Sequence, residues 1–199
     1  MKRNTGDNFI FYLTFQYSGL ATLPADFAVL QDESMMKKTK LTLEEFIETT
    51  KPMIGLSLNH AWLSYGSAIF LEIDILKKEK GRNNPQGEFS VMLDCSWRME
   101  KPRSILVGSF ATHARIEKYL GKLVGSRVKE VGLFGTLPEI MISFDSKVKV
   151  LSFETYDTQP SWSMQLPDGR WVSSRNGALI QELAEPVATA DRAPVARSG

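Results

Sequence analysis

Cysteine occurs once in the 199 residues, at Cys95, so no disulfide can form within the chain and a reducing compartment is expected. Histidine occurs twice, at His60 and His113, which with a lone thiol is too few for a histidine- or cysteine-rich metal site. Net charge is almost absent. The 24 Lys and Arg against 23 Asp and Glu leave +1, which speaks against a protein that holds nucleic acid by bulk charge. No apolar run approaches the roughly 20 residues of a membrane-spanning helix. Enzyme signatures are missing as well: Leu123-Val-Gly-Ser-Arg-Val128 lacks the lysine and spacing of a phosphate loop, and no Gly-x-Ser-x-Gly elbow occurs. No cofactor is implied.

What is present is ordinary globular material, 43% hydrophobic and 24% charged. A chain of this length buries roughly 70% of its unfolded surface and needs neither a disulfide nor a metal to fold. Near the start, the apolar run from Phe9 to Phe15 loosely imitates a secretory leader, but Asp7 and Asn8 interrupt the approach and the run is short. Its aromatic and β-branched content predicts a strand over Phe9–Gln16 instead, and with it a cytoplasmic protein.

Internal similarity organises the rest. The stretch from Glu44, EEFIETTKPMIGLSLNHAWLSYGSAIFLEI, parallels that from Arg115, RIEKYLGKLVGSRVKEVGLFGTLPEIMISF. Each opens with an amphipathic helical pattern, reaches an apolar-Gly pair (Ile54-Gly55, Val124-Gly125), and continues through a strand, a glycine turn and an apolar strand. Further on, Ser96-Trp97-Arg98-Met99 matches Ser161-Trp162-Ser163-Met164. The offset shifts only where loops would fall, because the polar connection 77–87 (KKEKGRNNPQG) belongs to the first stretch alone.

The expected fold is therefore α+β: two tandem helix-plus-antiparallel-strand repeats packed as one pseudo-twofold body, with an extra N-terminal strand. The expected divisions are an N-terminal segment 1–41, a first unit 42–110, a second unit 111–184 and a flexible, Ala- and Pro-rich tail 185–199. The first helix starts at Thr42, with Glu45 at capping-box spacing, and stops before Pro52. The second covers about Thr112 to Leu120, with Gly121 as its stop. Pro167-Asp168-Gly169 should turn the Trp162 strand into the Trp171 strand, and Trp97 and Trp162 should be paired core anchors.

Candidate chemistry is sparse. Cys95 follows Asp94, a carboxylate that raises a thiol's pKa, so a buried structural role is expected. His60 and His113 read as surface or helix-end residues. Glu72 and Asp74 would share one strand face, the spacing of a cation or acid/base pair, though a solvated strand edge is the simpler reading. Basic residues in the copy-specific loop, Lys77, Lys78, Lys80 and Arg82, together with Arg98, are the candidate partner contacts.

Several of these elements recur in a known setting. Gly125-Ser-Arg-Val128, Ile142-Ser-Phe-Asp145, Trp162-Ser-Met164 and Pro167-Asp-Gly169, with Gly55, Phe70-Leu-Glu-Ile73 and Cys95-Ser-Trp97-Arg98 in the first stretch, resemble small bacterial proteins of uncharacterised, immunity-like type with duplicated β-rich units. The resemblance spans residues 43–177. It implies a non-catalytic module that binds a protein partner, a toxin or an effector, stoichiometrically. Two other readings stand beside it: an enzyme whose site gathers Glu72, Asp94, His60 and Asp145 between the units, and a nucleic-acid accessory protein using the 77–82 loop with Arg98, Lys101 and Arg103.

Overall fold

A computed structural model describes residues 36–78, 81, 83–155 and 159–184. The first helix begins where capping chemistry puts it. Thr42 Oγ1 accepts the Glu45 N–H at 3.2 Å and the Glu45 carboxylate accepts the Thr42 N–H at 2.8 Å, opening α1 (Leu43–Thr50). Pro52 then limits the chain to one 3-10 turn, Lys51–Met53. The second helix, α2 (His113–Leu123), runs past its expected end at Leu120. Gly121 does not stop it, because it does not take the positive φ of a helix-ending glycine; that turn falls to Gly125. The chain leaves the helix at Val124 and turns at Gly125, which sits at φ +90.

Around these helices the strands are β1 (Met36–Lys40), β2 (Leu58–Leu63), β3 (Ile69–Ile73), β4 (Phe89–Leu93), β5 (Trp97–Lys101), β6 (Ser104–Gly108), β7 (Val128–Phe134), β8 (Glu139–Phe144), β9 (Lys149–Ser152), β10 (Trp162–Gln165), β11 (Trp171–Arg175) and β12 (Ala178–Ala184). They form a seven-stranded sheet, β1-β12-β11-β10-β4-β3-β2, and a five-stranded sheet, β6-β5-β9-β8-β7, with every pairing antiparallel. Among the described residues no helix is long and apolar enough to cross a membrane.

The expected α+β body of tandem helix-plus-strand repeats is overturned. The described residues are mostly sheet, twelve strands against helices of 8 and 11 residues. Nor does either sheet belong to one stretch of chain. After β4 the chain leaves its sheet, and β5 and β6 join β7–β9 in the other. After β9 it returns, and β10 and β11 pair beside β4. The sequence similarity is local, whereas sheet membership is decided by which apolar faces meet. β1 was missed because MKKTK has no apolar alternation; it is recruited as the edge strand beside β12. The strand expected over Phe9–Gln16 and the tail 185–199 lie outside the described residues.

A short clasp joins the sheets. Residues 55–58 run antiparallel to 125–128, with Gly55 N–H donating to Val128 O (2.8 Å), Gly125 N–H to Leu58 O (2.8 Å), Leu58 N–H to Ser126 O (2.9 Å) and Val128 N–H to Leu56 O (2.9 Å). Gly55 (φ +88) and Gly125 (φ +90) take backbone angles that side-chain-bearing residues resist, so both strands can enter the clasp directly from their helices. The ladders after it are equally irregular: β2 against β3 shifts register between Leu58 and His60, and β7 against β8 between Val128 and Glu130.

The core is one cluster drawn from both sheets and both helices. Two tryptophans lock it. Trp97 in the five-stranded sheet donates its indole N–H to Ser67 O, in the β2–β3 turn of the other sheet, at 2.7 Å. Trp162 in the seven-stranded sheet donates to Pro138 O, in the β7–β8 turn of the five-stranded one, at 2.7 Å, and meets Phe46 of α1 edge-on. Both rings are buried, as expected of core anchors. The Pro167-Asp168-Gly169 turn closes the β10–β11 hairpin, with Leu166 N–H donating to Arg170 O at 2.9 Å.

Replacing either tryptophan by phenylalanine removes buried ring volume and leaves a half-buried carbonyl without its donor. Each of Trp97→Phe and Trp162→Phe should lower unfolding free energy by about 2–4 kcal/mol in urea titrations. A loss under roughly 0.5 kcal/mol for either would disprove its locking role.

Candidate functional site

An open groove lies on the five-stranded sheet, at the edge formed by the β5–β6 hairpin. Strand alternation sets Arg98 opposite Gly108 on one side and Leu151 on the other, so its side chain shares their face. Just past β9, Phe153 is anchored by its N–H to Ser96 O at 2.7 Å. Its ring meets Phe134 edge-on, with centroids 5.8 Å apart, and carries the Arg98 guanidinium 4.8 Å from its centroid. Arg98 Nε also donates to the Glu100 carboxylate at 2.7 Å. Arg98 is thereby fixed as a wall, its charge already answered.

The opposite wall is apolar. The connection from β6 to α2 is a single tight turn, closed by Ala111 N–H donating to Gly108 O at 3.0 Å. Ala111 packs against the core while Phe110 is turned outward and is 98% exposed. Ile105, on edge strand β6, is 64% exposed. Between these walls runs an open groove of about 380 Å³, lined mainly by Trp97, Arg98, Ile105, Phe110, Phe153 and Thr155. Such a groove can hold an apolar group, and its polar lining is Arg98, Ser109 and the pair Ser96 and Thr155, whose hydroxyls lie 3.3 Å apart.

Of the basic residues expected at a partner surface, Arg98 lines this groove. Lys77 and Lys78 lie instead on the connection after β3, where Lys77 pairs backbone to backbone with Gln86 and its ammonium stands 3.7 Å from the Glu88 carboxylate. Lys80 and Arg82 lie outside the described residues. Phe110 and Ile105 went unnoticed in the sequence. The available signal was an aromatic residue in the short turn just before the Thr112 helix start.

The acidic candidates disperse. Only His60 and Glu72 come together, as cross-strand partners in β2 and β3. Asp145 accepts the Arg127 N–H at 3.0 Å beside the clasp, and Asp94 lies in the passage between the sheets, its N–H donating to Ser161 O. Among the described residues no group of three or more His, Cys, Asp and Glu gathers as a metal site requires. His60 Nε2 lies 3.2 Å from Asn84 Oδ1, and His113 opens α2.

Glu72 corrects the reading of a solvated strand edge. β3 is an interior strand, flanked by β2 and β4, and Glu72 is 2% exposed. Asp74 does not share its face, because φ +71 turns the chain out of the strand there. Both Glu72 oxygens are engaged: Oε1 accepts the Trp62 indole N–H at 3.1 Å and Oε2 the Gly87 N–H at 2.9 Å. Burial pushes its pKa up against the opposing pull of these bonds and of His60. Cys95, half-buried, is pushed up to about 11 by desolvation and by neighbouring Asp94, which leaves little thiolate at neutral pH.

Comparison with known proteins returns nothing: no family model, no curated protein and no solved structure matches this chain.

Two measurements check these assignments. A folded-state pKa above the unfolded one means the native state binds the proton more tightly. Stability from Glu72 is therefore fully present below the unfolded value of about 4.3 and is lost as pH rises through the folded value. Urea midpoints should show wild type gaining on Glu72→Gln as pH falls from neutral; a pH-independent gap would refute the buried acid. Alkylation of native Cys95 by iodoacetamide at pH 8 should run at least roughly tenfold slower than in the unfolded chain, the scarcity of thiolate outweighing its higher nucleophilicity. Equal rates would contradict the raised pKa.

Proposed function

We propose that this protein is a non-catalytic binding module that captures a protein partner stoichiometrically through the groove between Phe110 and Phe153. The observation that carries the reading is Phe110 itself, a large apolar side chain 98% exposed on a hydrogen-bonded turn beside Ile105. Water gains nothing from such a ring, whereas a partner that covers it gains roughly 1.5–3 kcal/mol. An exposed aromatic next to an apolar groove on a rigid sheet is the makings of an interface anchor. The chemistry elsewhere supports binding over catalysis: the one carboxylate deeply buried among the described residues has both oxygens engaged, and the lone thiol is held protonated. In the immunity-like setting implied by the sequence resemblance, the captured partner is a toxin or an effector of a bacterial defence system, and Arg98 is the groove residue shared with the sequence-based expectation.

Affinity capture at native expression tests this, with the mass of the complex measured by light scattering. Wild type should retain one partner at equal stoichiometry. Phe110→Asp should lose at least roughly tenfold of it with an unchanged thermal midpoint, since Phe110 contributes nothing to the core. Capture undiminished by Phe110→Asp, or a wild type that captures nothing, would refute the proposal.

A further inference from the structure

Strand alternation in β5 turns Arg98 and Glu100 to the face of the Phe110 groove and Met99 and Lys101 to the opposite face. A second cavity, of about 330 Å³, lies on that opposite face, between β5, the β8–β9 turn and α2. Its floor is apolar, made by the buried side chains of Met99, Leu123 and Val148. Its mouth is polar: the lining there is Lys101, Lys122 and Ser146, all exposed, and half-buried Tyr119.

The mouth is built on one side of α2, where Arg115, Tyr119 and Lys122 follow one another at helical spacing. The Lys122 ammonium stands 5.5 Å and the Arg115 guanidinium 6.0 Å from the centroid of the Tyr119 ring. Arg115 also donates to the Leu106 carbonyl at 3.1 Å. Among the described residues no carboxylate forms an ion pair with Lys101, Arg115 or Lys122. Residues 101–149 hold nine Lys and Arg against four Asp and Glu, so the field at this mouth is positive although the whole chain carries only +1.

The fold does not require these cations. With Gly55 set against Gly125, the buried Phe46, Thr50 and Met53 match the buried Ile116, Leu120 and Leu123. On the same alignment Arg115, Tyr119 and Lys122 stand where the first stretch has Glu45, Thr49 and Pro52. With Trp97 set against Trp162, Lys101 stands where Leu166 is buried at 3% exposure. The packing residues are common to both stretches, and the cationic mouth belongs to one.

We propose that this cavity binds a small organic anion, a carboxylate carried on an apolar stem. The stem lies over Met99, Leu123 and Val148, and the carboxylate sits between Lys101 and Lys122, accepting from the Tyr119 and Ser146 hydroxyls. A volume of about 330 Å³ is at the small end of ligand pockets, roughly 300–1,000 Å³, and suits a compact molecule. The apolar floor selects such an acid over bare phosphate, and the unanswered ammonium groups select it over a neutral analogue. This site is separate from the capture groove and does not depend on it.

Ligand-observed NMR titrations of the full chain with 4-phenylbutyrate, 4-phenylbutyramide and inorganic phosphate test the proposal. The acid should bind with a Kd of about 1 mM or tighter, and at least roughly tenfold more tightly than the amide or phosphate. It should also raise the thermal midpoint. Lys101→Leu, which takes the residue of the matched strand, and Lys122→Gln should each weaken the acid at least roughly fivefold and leave the amide unchanged. Phe110→Asp should leave acid binding untouched, so failure here and failure of the capture reading are told apart. No binding of the acid at about 10 mM would overturn the proposal. So would equal binding of the amide or of phosphate, acid binding indifferent to both lysine substitutions, or acid binding lost in Phe110→Asp.

Discussion

Four backbone hydrogen bonds between residues 55–58 and 125–128 constrain everything else in this fold. They join the starts of β2 and β7, the outermost strands of the two sheets, so each sheet has an edge that ends in the other. Pairing so close to the helix ends is possible only because Gly55 and Gly125 turn the chain through positive φ. Arg127 tightens the arrangement, its guanidinium donating to Gly55 O at 3.1 Å and its N–H to the Asp145 carboxylate. With those starts fixed, the β2–β3 and β7–β8 turns are carried to where Trp97 and Trp162 can reach them across the core. The tryptophan locks are a consequence of the clasp.

Polar groups inside the protein follow the same logic. Ser152 is buried and its hydroxyl oxygen accepts the Ile140 N–H at 2.9 Å, repairing the β8 ladder where β9 gives out. Glu154 accepts the hydroxyls of Ser161 and Ser174, tying the passage between the sheets to β11. Glu72 binds the Trp62 indole and the Gly87 amide across the β2–β3–β4 region. Ser152 and Glu72 each place an acceptor where irregular backbone would otherwise strand a donor, and an unmet buried donor costs about 1–3 kcal/mol. Glu72 and Glu154 serve the architecture. The groove owes its character to the opposite circumstance, an apolar ring that the architecture does not use.

Local chemistry was readable from the sequence to the extent that it is local. The Thr42–Glu45 capping box, the stop at Pro52, the Asp168-Gly169 turn and the alternation in Phe89–Leu93 each depend on neighbours in the chain, and each is found in place. The matching of Gly55 with Gly125 and of Trp97 with Trp162 was also visible. Strand assortment was not, because β4 offers the same apolar pattern to β5 as to β10, and only the packed core chooses. Glu72 was misread for the same reason: an edge strand and an interior strand look alike until their neighbours are known. Of the site, Arg98 could be named, but the exposure of Phe110 depends on Ala111 occupying the place at the core that either residue might have filled.

The exchange of strands between sheets also sets a timetable. β4 leaves the ribosome with β3 on one flank, but its other neighbour, β10, begins only at Trp162. At typical synthesis rates of roughly 5–20 residues per second the interval lasts several seconds. Throughout it, a strand of Phe89, Val91 and Leu93 has a bare hydrogen-bonding edge. The five-stranded sheet can close first, since β5 to β9 are complete while β10 is still being made. The nascent chain must then carry one finished sheet and one open one, which makes the stretch between Ser152 and Trp162 the interval of greatest exposure to misassociation and to chaperones.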